Sequence, residues 1–469
     1  MKLYNSASHQ IEEINLTAQA LGVYTCGPTV YDYPHIGNWF TFIRYDILVR
    51  TLRAAGFETK WVMNITDVGH LVSDADEGED KLEKGARREG RTAWEVAQYY
   101  TDHFLDGLNR LNIDMPDVLP KATDHIPEQI ELIKKLEDQG YTYRIDDGIY
   151  FNTAKFKTYA KFAGLRLNEL QGGARVELNT QKMNVSDFAL WKFSPQNHER
   201  DMEWESPWGR GFPGWHLECS AMAVKYLGAT VDIHGGGIDH IPVHHTNEIA
   251  QSEAAFGVPY VKYWFHANHI SVEGQKISKS LGNGFTLDDL ADKGGSPPVI
   301  RMYALESHYR TQSKFSLDGL GAAKQRLYDL YALATLRWQY TEHETTISNT
   351  GAAISECKSA VQKALQYDLN TPQALSALSE LQNKLSNGVP RMHQEPFEEL
   401  LRYIDSTLGL DLLSQADIPD SIKEQLHQRG LAREQADWSS SDSIRVELSK
   451  QAIGVRDTPN GQIWYRIED

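Results

Sequence analysis

The sequence predicts an α/β protein whose parallel sheet is split by an insertion and followed by a helical domain and a small C-terminal module. Strand-like and helix-like segments alternate up to about residue 122, and this alternation favours a parallel sheet. Strand patterns return beyond about residue 190. After about residue 316, glycine becomes rarer and leucine- and alanine-rich helical segments follow. The 469 residues are enough for about three domains at ~150 residues each.

The first part of the predicted sheet occupies residues 1–122. Apolar residues, a glycine-proline turn and helical spacing follow one another in this region. In chain order they predict a strand, a turn, a helix, a second strand and two further helices: Leu21–Val30, Gly27-Pro28, Asn38–Ala55, Lys60–Ile65, Thr92–Leu111 and Ile126–Gln139, the last lying beyond residue 122.

Residues 123–190 break the alternation and are predicted to form the insertion. They contain a short strand-like piece, Gly148–Phe151, and a turn at Gly172-Gly173. The second part of the sheet is expected in residues 191–268. Its strands are Ala229–His234, closed by three consecutive glycines, and Tyr260–Asn268.

The remaining residues are predicted to form three parts. A linker region covers 269–316, a helical domain covers 317–414 with helices at Gly321–Arg337 and Ala352–Gln366, and a module covers 415–469. A polar joint at Gln415–Pro419 opens the module. A last helix, Ser421–Trp438, and a strand-like end, Ile463–Ile467, follow it.

Charge and cysteine content limit the class of protein. Lys and Arg number 47 against 64 Asp and Glu, a net charge of −17, which excludes binding of nucleic acid through bulk positive charge but permits a local basic groove. Three cysteines argue against a disulfide framework and for a reducing compartment. The N-terminus lacks a signal-peptide core, and no stretch approaches the ~20 apolar residues of a membrane span. We therefore expect a cytoplasmic protein that does not bind membranes.

Two short segments have the composition of phosphate-binding sites. In Pro34–Asn38, His35, Gly37 and Asn38 precede a predicted helix, whose backbone N–H groups attract phosphate. In Lys276–Ser280, the lysines Lys276 and Lys279 bracket small hydroxyl residues, as in a cationic loop that closes on a polyphosphate. The alternatives are an ordinary turn and a solvated surface loop.

A metal site is a third candidate. Two thiolates, an imidazole and a carboxylate are all acceptable Zn²⁺ ligands, and His244 and Glu248 share one face if their segment is helical. The set Cys26, Cys219, His244 and Glu248 converges if the ends of two strands and one helix meet. His240 and His245 are rival ligands, and two buried free cysteines are the simpler alternative. Cys357 lies in a helical segment and is expected to be structural.

These segments together resemble one family, the cysteinyl-tRNA synthetases. Pro34–Asn38 resembles the HIGH signature in the form HIGN, and Lys276–Ser280 resembles KMSKS with isoleucine for methionine. Further segments similar to the family, nearly to the C-terminus, are Thr25–Asp32, Asn64–Asp67, Ser206–Gly209, Gly214–Met222, Asp232–Gly237, Asp368–Pro372 and Arg433–Trp438. The sequence differs from the family at Val68–Leu71, where many members carry acidic residues and a lysine, and at Ile238–Thr246.

The resemblance implies a class I Rossmann core split by a connective insertion, a KMSKS-bearing linker, a helical bundle and an anticodon-binding module. It also implies one Zn²⁺ per chain that selects the cysteine thiol by direct coordination, with ATP and Mg²⁺ as the substrate complex. We expect a monomer with L-cysteine, ATP and tRNA(Cys) as its partners. The implied sites are a metal set of Cys26, Cys219, His244 and Glu248; a cysteine pocket of Gly27, Thr66, Trp215 and His234; nucleotide contacts of Gly37, Gly235, Gly236, Gly237, Asp239 and Lys279; catalytic groups His35, Asn38, Lys276 and Lys279; and anticodon readers Arg433, Asp442 and Asp457.

Two other functions are compatible with parts of the sequence. A ligase that transfers cysteine to an amino sugar in mycothiol synthesis resembles the same core and zinc site but lacks a full anticodon-binding end, so the tail from Ser421 to Arg466 argues against it. A decayed synthetase that only binds RNA would not be expected to keep His35, Lys276, Lys279 and the four metal ligands.

Overall fold

The central sheet consists of four parallel strands from both sides of the insertion, in the order β10-β9-β3-β4. The computed structural model describes residues 1–15, 20–69, 80–164, 180–195, 200–277, 281–341 and 350–467. Within these ranges no helix combines the length and apolar character that a membrane span requires. The strands are β3 (Leu21–Thr25), β4 (Thr59–Met63), β9 (Val231–Gly237) and β10 (Val261–Ala267). The predicted split parallel sheet is confirmed.

Two details of this sheet differ from expectation. Strand β9 runs through Gly235 and Gly236 and ends at Gly237, because Gly235 pairs with Thr25 on one side and Phe265 on the other. A hairpin that the sequence patterns did not reveal, β1 (Lys2–Asn5) and β2 (Gln10–Glu13), lies beside β10. Asn5 Nδ2 donates to the backbone oxygen of Lys262 at 2.9 Å and ties this hairpin to the sheet.

Three helices accompany the first half of the sheet: α1 (Ile36–Ala54), α2 (Lys81–Glu89) and α3 (Ala93–Arg110). Helix α1 begins at Ile36 because His35 caps it, and α3 begins at Ala93 because Thr92 and Glu95 form a capping box. Trp39 of α1 stacks on Phe104 of α3, with ring centres 5.6 Å apart. Helices α1 and α3 agree with prediction within about two residues at each end, whereas α2 was not predicted.

The insertion contains helix α4 (Ile126–Asp138) and an antiparallel sheet in the order β5-β6-β7-β8. Its strands are β5 (Thr142–Ile145), β6 (Gly148–Phe151), β7 (Phe188–Phe193) and β8 (Gly211–Pro213). The boundary expected at residue 190 therefore falls inside β7, and the sheet continues to Pro213. The predicted turn at Gly172-Gly173 lies outside the described residues.

Two helices then flank the returning strands: α5 (Trp215–Leu227) and α6 (Thr246–Phe256), the latter preceded by one π-helical turn, Ile241–His245. A small sheet in the order β12-β11-β13 and two helices form the linker: β11 (Ile270–Val272), β12 (Gln275–Lys276), α7 (Leu287–Ala291), α8 (Pro297–Leu305) and β13 (Ser313–Phe315). The helical domain follows with α9 (Leu317–Thr335), α10 (Thr350–Gln366), α11 (Thr371–Lys384) and α12 (Gln394–Leu408). Helix α9 begins four residues before the predicted start, because Ser316 Oγ accepts from Gly319 N at 3.1 Å.

The C-terminal module differs from prediction in its helices. The expected single helix Ser421–Trp438 is wrong: α13 (Asp420–Glu434) ends before Ala436, whose φ of +57° is incompatible with a continuing helix. A second helix, α14 (Trp438–Lys450), starts where Asp437 accepts from Ser440 N, and a hairpin of β14 (Ile453–Thr458) and β15 (Gly461–Arg466) follows. The module has its own small core of Ile418, Ile422, Leu426, Leu448, Ile453, Val455 and Trp464.

Candidate functional site

A cleft opens at the carboxyl ends of the parallel strands, where ligands bind in α/β sheets of this kind. It consists of two adjoining cavities of about 630 and 700 Å³. The first reaches the predicted metal ligands, and the second reaches the lysine-bearing strand β12. Residues that line both cavities are His35, Asn38, Thr41, Gly237, Asp239 and Ile277.

The four predicted metal ligands meet beside the first cavity, which Cys26, Cys219 and His244 line. Their donor atoms all lie within 4.8 Å of one another, and all four side chains are buried. Cys26 follows strand β3 and His244 and Glu248 lie on the turn and helix after β9, but Cys219 lies inside helix α5. The expected meeting of two strand ends and one helix is therefore corrected to one strand end and two helices.

A second set of donors overlaps the first. Cys26, His234, His245 and Glu248 satisfy the same distance limit, with His245 Nε2 3.4 Å from Cys26 Sγ. The rival ligand His245 is thus within reach, while His240 belongs to neither set. Both sets share Cys26 and Glu248.

Buried hydrogen bonds orient the ligands of the first set. His234 Nε2 and Tyr260 OH lie 2.8 and 2.9 Å from Glu248 Oε2, and His216 Nδ1 lies 3.0 Å from His244 Nδ1. Among the described residues Glu248 Oε1 makes no well-aligned hydrogen bond, although His244 Nε2 is only 3.0 Å away. His244 Nε2 and Glu248 Oε1 are therefore suited to bind the same metal cation.

The electrostatics of the cluster favour the charged forms of Cys219, His244 and Glu248, whereas burial raises the pKa of the Cys26 thiol well above its usual value. A hydrogen bond with Cys26 lowers the pKa of the Cys219 thiol to about 6. Burial lowers the pKa of His244, but the charges of Glu248 and Cys219 outweigh it and raise that pKa to about 10. Burial likewise raises the pKa of Glu248, yet the neighbouring histidines hold it well below its usual range.

The donor set fits Zn²⁺. Tetrahedral Zn²⁺ with bonds of about 2.0–2.3 Å needs donors roughly 3.3–3.8 Å apart, which lies within the observed limit. Two sulfurs, one imidazole and one carboxylate form a borderline-soft set that Mg²⁺ and Ca²⁺ do not favour.

Beside the cluster, Asn64 organises the predicted pocket residues Gly27 and Thr66. Asn64 Oδ1 accepts from Gly27 N and Asn64 Nδ2 donates to Thr66 Oγ1, both at 2.9 Å. A Cβ at position 27 would overlap the backbone oxygen of Asn64, so only glycine fits there. Sequence reasoning quoted Asn64 within a motif but did not assign it to the site. Its position directly after strand β4, where a polar side chain reaches the cleft, is the signal that could have identified it.

The other two predicted pocket residues have different positions. Trp215 lines the first cavity, with its ring centre 4.7 Å from that of His244. His234 is fully buried and bonded to Glu248, and it lines neither cavity. In the structure its ring contacts Glu248, and its expected contact with the substrate stays a prediction.

The HIGN segment forms the N-terminus of α1. His35 N donates to Asn38 Oδ1 at 3.0 Å, and His35 Nδ1 accepts from Asn38 N at 3.3 Å. Because Nδ1 accepts, the proton of the neutral ring is on Nε2. A Cβ at Gly37 would lie 2.9 Å from Ile277 Cδ1, so glycine allows the lysine-bearing segment to pack against this helix end.

The predicted nucleotide contacts divide into three groups. Gly37, Gly237 and Asp239 line the second cavity, as does the predicted catalytic residue Lys276. Gly235 and Gly236 are buried in strand β9, and a Cβ at Gly236 would overlap the ring of His245; their small size therefore serves internal packing. Lys279 lies outside the described residues.

The predicted anticodon residues lie in the C-terminal module. Arg433 pairs with Asp457 at 3.2 Å and its guanidinium carbon lies 5.3 Å from the centre of the exposed Trp438 ring. Asp442 is exposed on helix α14. Asp457 also accepts two hydrogen bonds from Arg429, a fully buried residue that was not predicted as part of the site. Those bonds hold the pKa of Asp457 below its usual value.

Comparisons with known proteins agree with this architecture. Residues 12–325 match the family described as tRNA synthetases class I (C) catalytic domain. Cysteine–tRNA ligase 1 of Burkholderia lata is 43% identical, with 98% of this chain and 96% of the relative covered. Cysteine–tRNA ligases of Treponema denticola and Thermococcus onnurineus are 39% and 37% identical, with at least 99% of each chain covered.

Solved structures show the same fold at low sequence identity. A Mycobacterium tuberculosis methionyl-tRNA synthetase bound by methionyl-adenylate matches with a TM-score of 0.59 and 15% identity, covering 90% of this chain and 96% of the other. Similarity at this level shows a common fold and no more.

Proposed function

The chain belongs to the cysteine–tRNA ligases of the class I tRNA synthetases, and on that basis we propose how its residues activate L-cysteine with ATP and transfer it to tRNA(Cys). The observation that carries the proposal is the position of the four clustered metal-ligand side chains beside the cleft that the N-terminus of helix α1 also lines. Cys26, Cys219, His244 and Glu248 would hold a Zn²⁺ at the cleft wall.

Selection of cysteine over serine depends on the metal and the pocket together. A bound Zn²⁺ supplies a soft centre that prefers a thiolate to a hydroxyl, whereas the shape of an apolar pocket alone discriminates by only ~1–3 kcal/mol. Gly27, Thr66 and Trp215 form the pocket beside the ligands and limit the size of the side chain that enters. The side-chain amide of Asn64 fixes the positions of Gly27 and Thr66 through one hydrogen bond to each.

Adenylate formation requires no protein nucleophile, because the cysteine carboxylate attacks the α-phosphate of ATP. The chain contributes positioning and charge stabilisation. His35 donates from Nε2, Asn38 lies beside the phosphates at the start of α1, and Lys276 and Lys279 neutralise the departing pyrophosphate with Mg²⁺. Gly37 and Gly237 allow close approach of the nucleotide, and Asp239 is a polar contact.

The second step places the terminal adenosine of tRNA beside the adenylate. The two-helix and hairpin module supplies remote binding energy through the Arg433–Trp438 pair. Asp457 is paired with Arg433, and Asp442 lies on helix α14. Because the module is folded on its own core, its presence favours tRNA over an amino sugar as the acceptor.

We propose a revised domain division. The catalytic core comprises residues 1–122 and 214–268, the insertion 123–213, the linker 269–316, the helical bundle 317–414 and the anticodon module 415–469. The shifted boundary keeps strands β7 and β8 in one sheet.

Purified protein is expected to catalyse ATP–pyrophosphate exchange that depends on L-cysteine and to charge tRNA(Cys). L-serine at equal concentration is the control and should give exchange at least about a hundredfold lower, since a site that binds a specific group rejects an analogue strongly. Exchange without charging, combined with transfer to an amino sugar, would contradict the proposed acceptor. Equal exchange with serine would contradict thiol selection.

Arg433→Ala is expected to raise the KM for tRNA(Cys) about tenfold, because loss of one cationic or stacking contact to an unpaired base weakens binding by ~1–3 kcal/mol. Cysteine-dependent exchange should be unchanged, since Arg433 lies in a module with its own core. Lys450→Ala on the neighbouring helix, an exposed cation paired with Glu447, is the matched control. An unchanged KM for Arg433→Ala would remove it from the anticodon interface.

A further inference from the structure

Two exposed tyrosines stand at the rim of the cleft. Tyr33 is 39% exposed and lines the first cavity, and Tyr99 of helix α3 is 40% exposed. Their hydroxyl oxygens are 2.7 Å apart, and the rings meet edge to face with centres separated by 6.2 Å. Tyr33 is also packed edge to face with Tyr100 and His103, at 5.0 and 4.6 Å. The pair is thus held in place although much of its aromatic surface faces solvent.

A basic segment adjoins these rings. Residues 81–91, KLEKGARREGR, contain five cationic and two acidic side chains in a chain whose net charge is −17. Arg91 places its guanidinium carbon 4.9 Å from the centre of the Tyr99 ring. Glu89 lies between Arg88 and Arg91, at 2.8 and 3.8 Å, and accepts from Tyr100 OH at 2.9 Å, so it links the basic segment to the aromatic group. The basic segment therefore places one guanidinium group, that of Arg91, against the tyrosine pair.

We propose that Tyr33, Tyr99 and Arg91 form a stacking platform for the unpaired 3′ end of tRNA on its way into the cleft. Unpaired bases stack on aromatic rings and guanidinium planes, and nearby cations bind the phosphates that join them. A paired stem would expose no base faces for such contacts. The platform is continuous with the cavity that contains His35, where the terminal adenosine must react. The inference rests on the proposed tRNA acceptor and adds a place for its end.

Two variants of Tyr99 separate the ring from its hydroxyl. Tyr99→Leu removes the aromatic face, whereas Tyr99→Phe keeps it and loses only the hydrogen bond to Tyr33. In single-turnover transfer from preformed cysteinyl-adenylate, we expect Tyr99→Leu to be slower by roughly tenfold or more and Tyr99→Phe to stay near the unchanged protein. Cysteine-dependent pyrophosphate exchange should be unchanged in both variants, because Tyr99 lines neither cavity.

Tyr367→Leu is the matched control. Tyr367 is 53% exposed and has Lys2 Nζ 5.9 Å from its ring centre, but it follows helix α10 in the helical domain. Its loss should leave transfer unchanged.

Binding of two RNAs tests the platform without catalysis. The probes are a tRNA(Cys) transcript and the same transcript without its unpaired 3′ nucleotides. The unchanged protein should lose about tenfold in affinity when those nucleotides are removed, and Tyr99→Leu should bind both RNAs alike.

Three outcomes would overturn the platform: full transfer by Tyr99→Leu, a loss of affinity in that variant that leaves the tenfold difference between the two RNAs in place, or impaired pyrophosphate exchange in it. Failure of the unchanged protein to charge tRNA would instead contradict the proposed function.

Discussion

Cys219→Ser should lose zinc and cysteine activation together. Serine oxygen resists ionisation and is a poor Zn²⁺ ligand, so the site would keep only one sulfur, one imidazole and one carboxylate. Replacing a residue that only supports a metal ligand lowers metal affinity or activity by ~10–100-fold. Because Cys219 is itself a ligand in this proposal, we expect the rate of cysteine-dependent pyrophosphate exchange to fall by more than about a hundredfold. Elemental analysis of the purified protein measures the metal, and pyrophosphate exchange measures the activation.

Cys357→Ser is the matched control for this experiment. Cys357 is also buried, but it lies in helix α10, where its thiol donates to the backbone oxygen of Ala377 at 3.5 Å. Its replacement should keep both the zinc content and the exchange rate. Full activity in Cys219→Ser, or a native zinc content with no activity, would show that the four residues are not the metal site that selects cysteine.

Gly27→Ala should have an effect of similar size for a steric reason. The new Cβ would overlap the carbonyl oxygen of Asn64, and both groups belong to backbone at the ends of adjacent strands, so neither can rotate away. The strand ends must separate, and a displacement of about 1 Å at a reacting centre can cost 10²-fold in rate. We expect exchange to fall by at least about a hundredfold, with a loss of roughly 1–3 kcal/mol in stability from overpacking.

Gly321→Ala provides the comparison for Gly27→Ala. Gly321 lies within helix α9, and a Cβ there would meet no heavy atom within 4 Å. This variant should be as active as the unchanged protein and slightly more stable, by up to about 1 kcal/mol, because alanine favours helix. Chemical denaturation measures the free energy of unfolding of both variants. Normal exchange in Gly27→Ala would show that the Asn64 contact does not shape the pocket.

Sequence patterns predicted the helices and strands best where local spacing decides them. Helix α3 is within a residue of its expected ends, because a capping box and apolar spacing act over a few residues. The predicted helix Ser421–Trp438 ran past the end of α13, because the break depends on the single residue Ala436, which has an ordinary helical side chain but a positive φ. Helix α14 was not predicted. The hairpin of β1 and β2 was missed because its strands have only four residues each.

In the candidate site, too, some features follow from the sequence alone and others depend on the tertiary structure. The kinds of side chain that can hold zinc and phosphate are properties of the sequence alone, since a thiol, an imidazole or a helix-capping histidine has its chemistry wherever it lies. The tertiary structure decided that His234 and His216 contact the ligands, and that Asn64 holds Gly27 and Thr66. It also decided that Cys219 reaches the site from a helix. Contacts such as Cys26 with His245 join residues 219 positions apart. They depend on the order of strands in the sheet, which no local spacing contains.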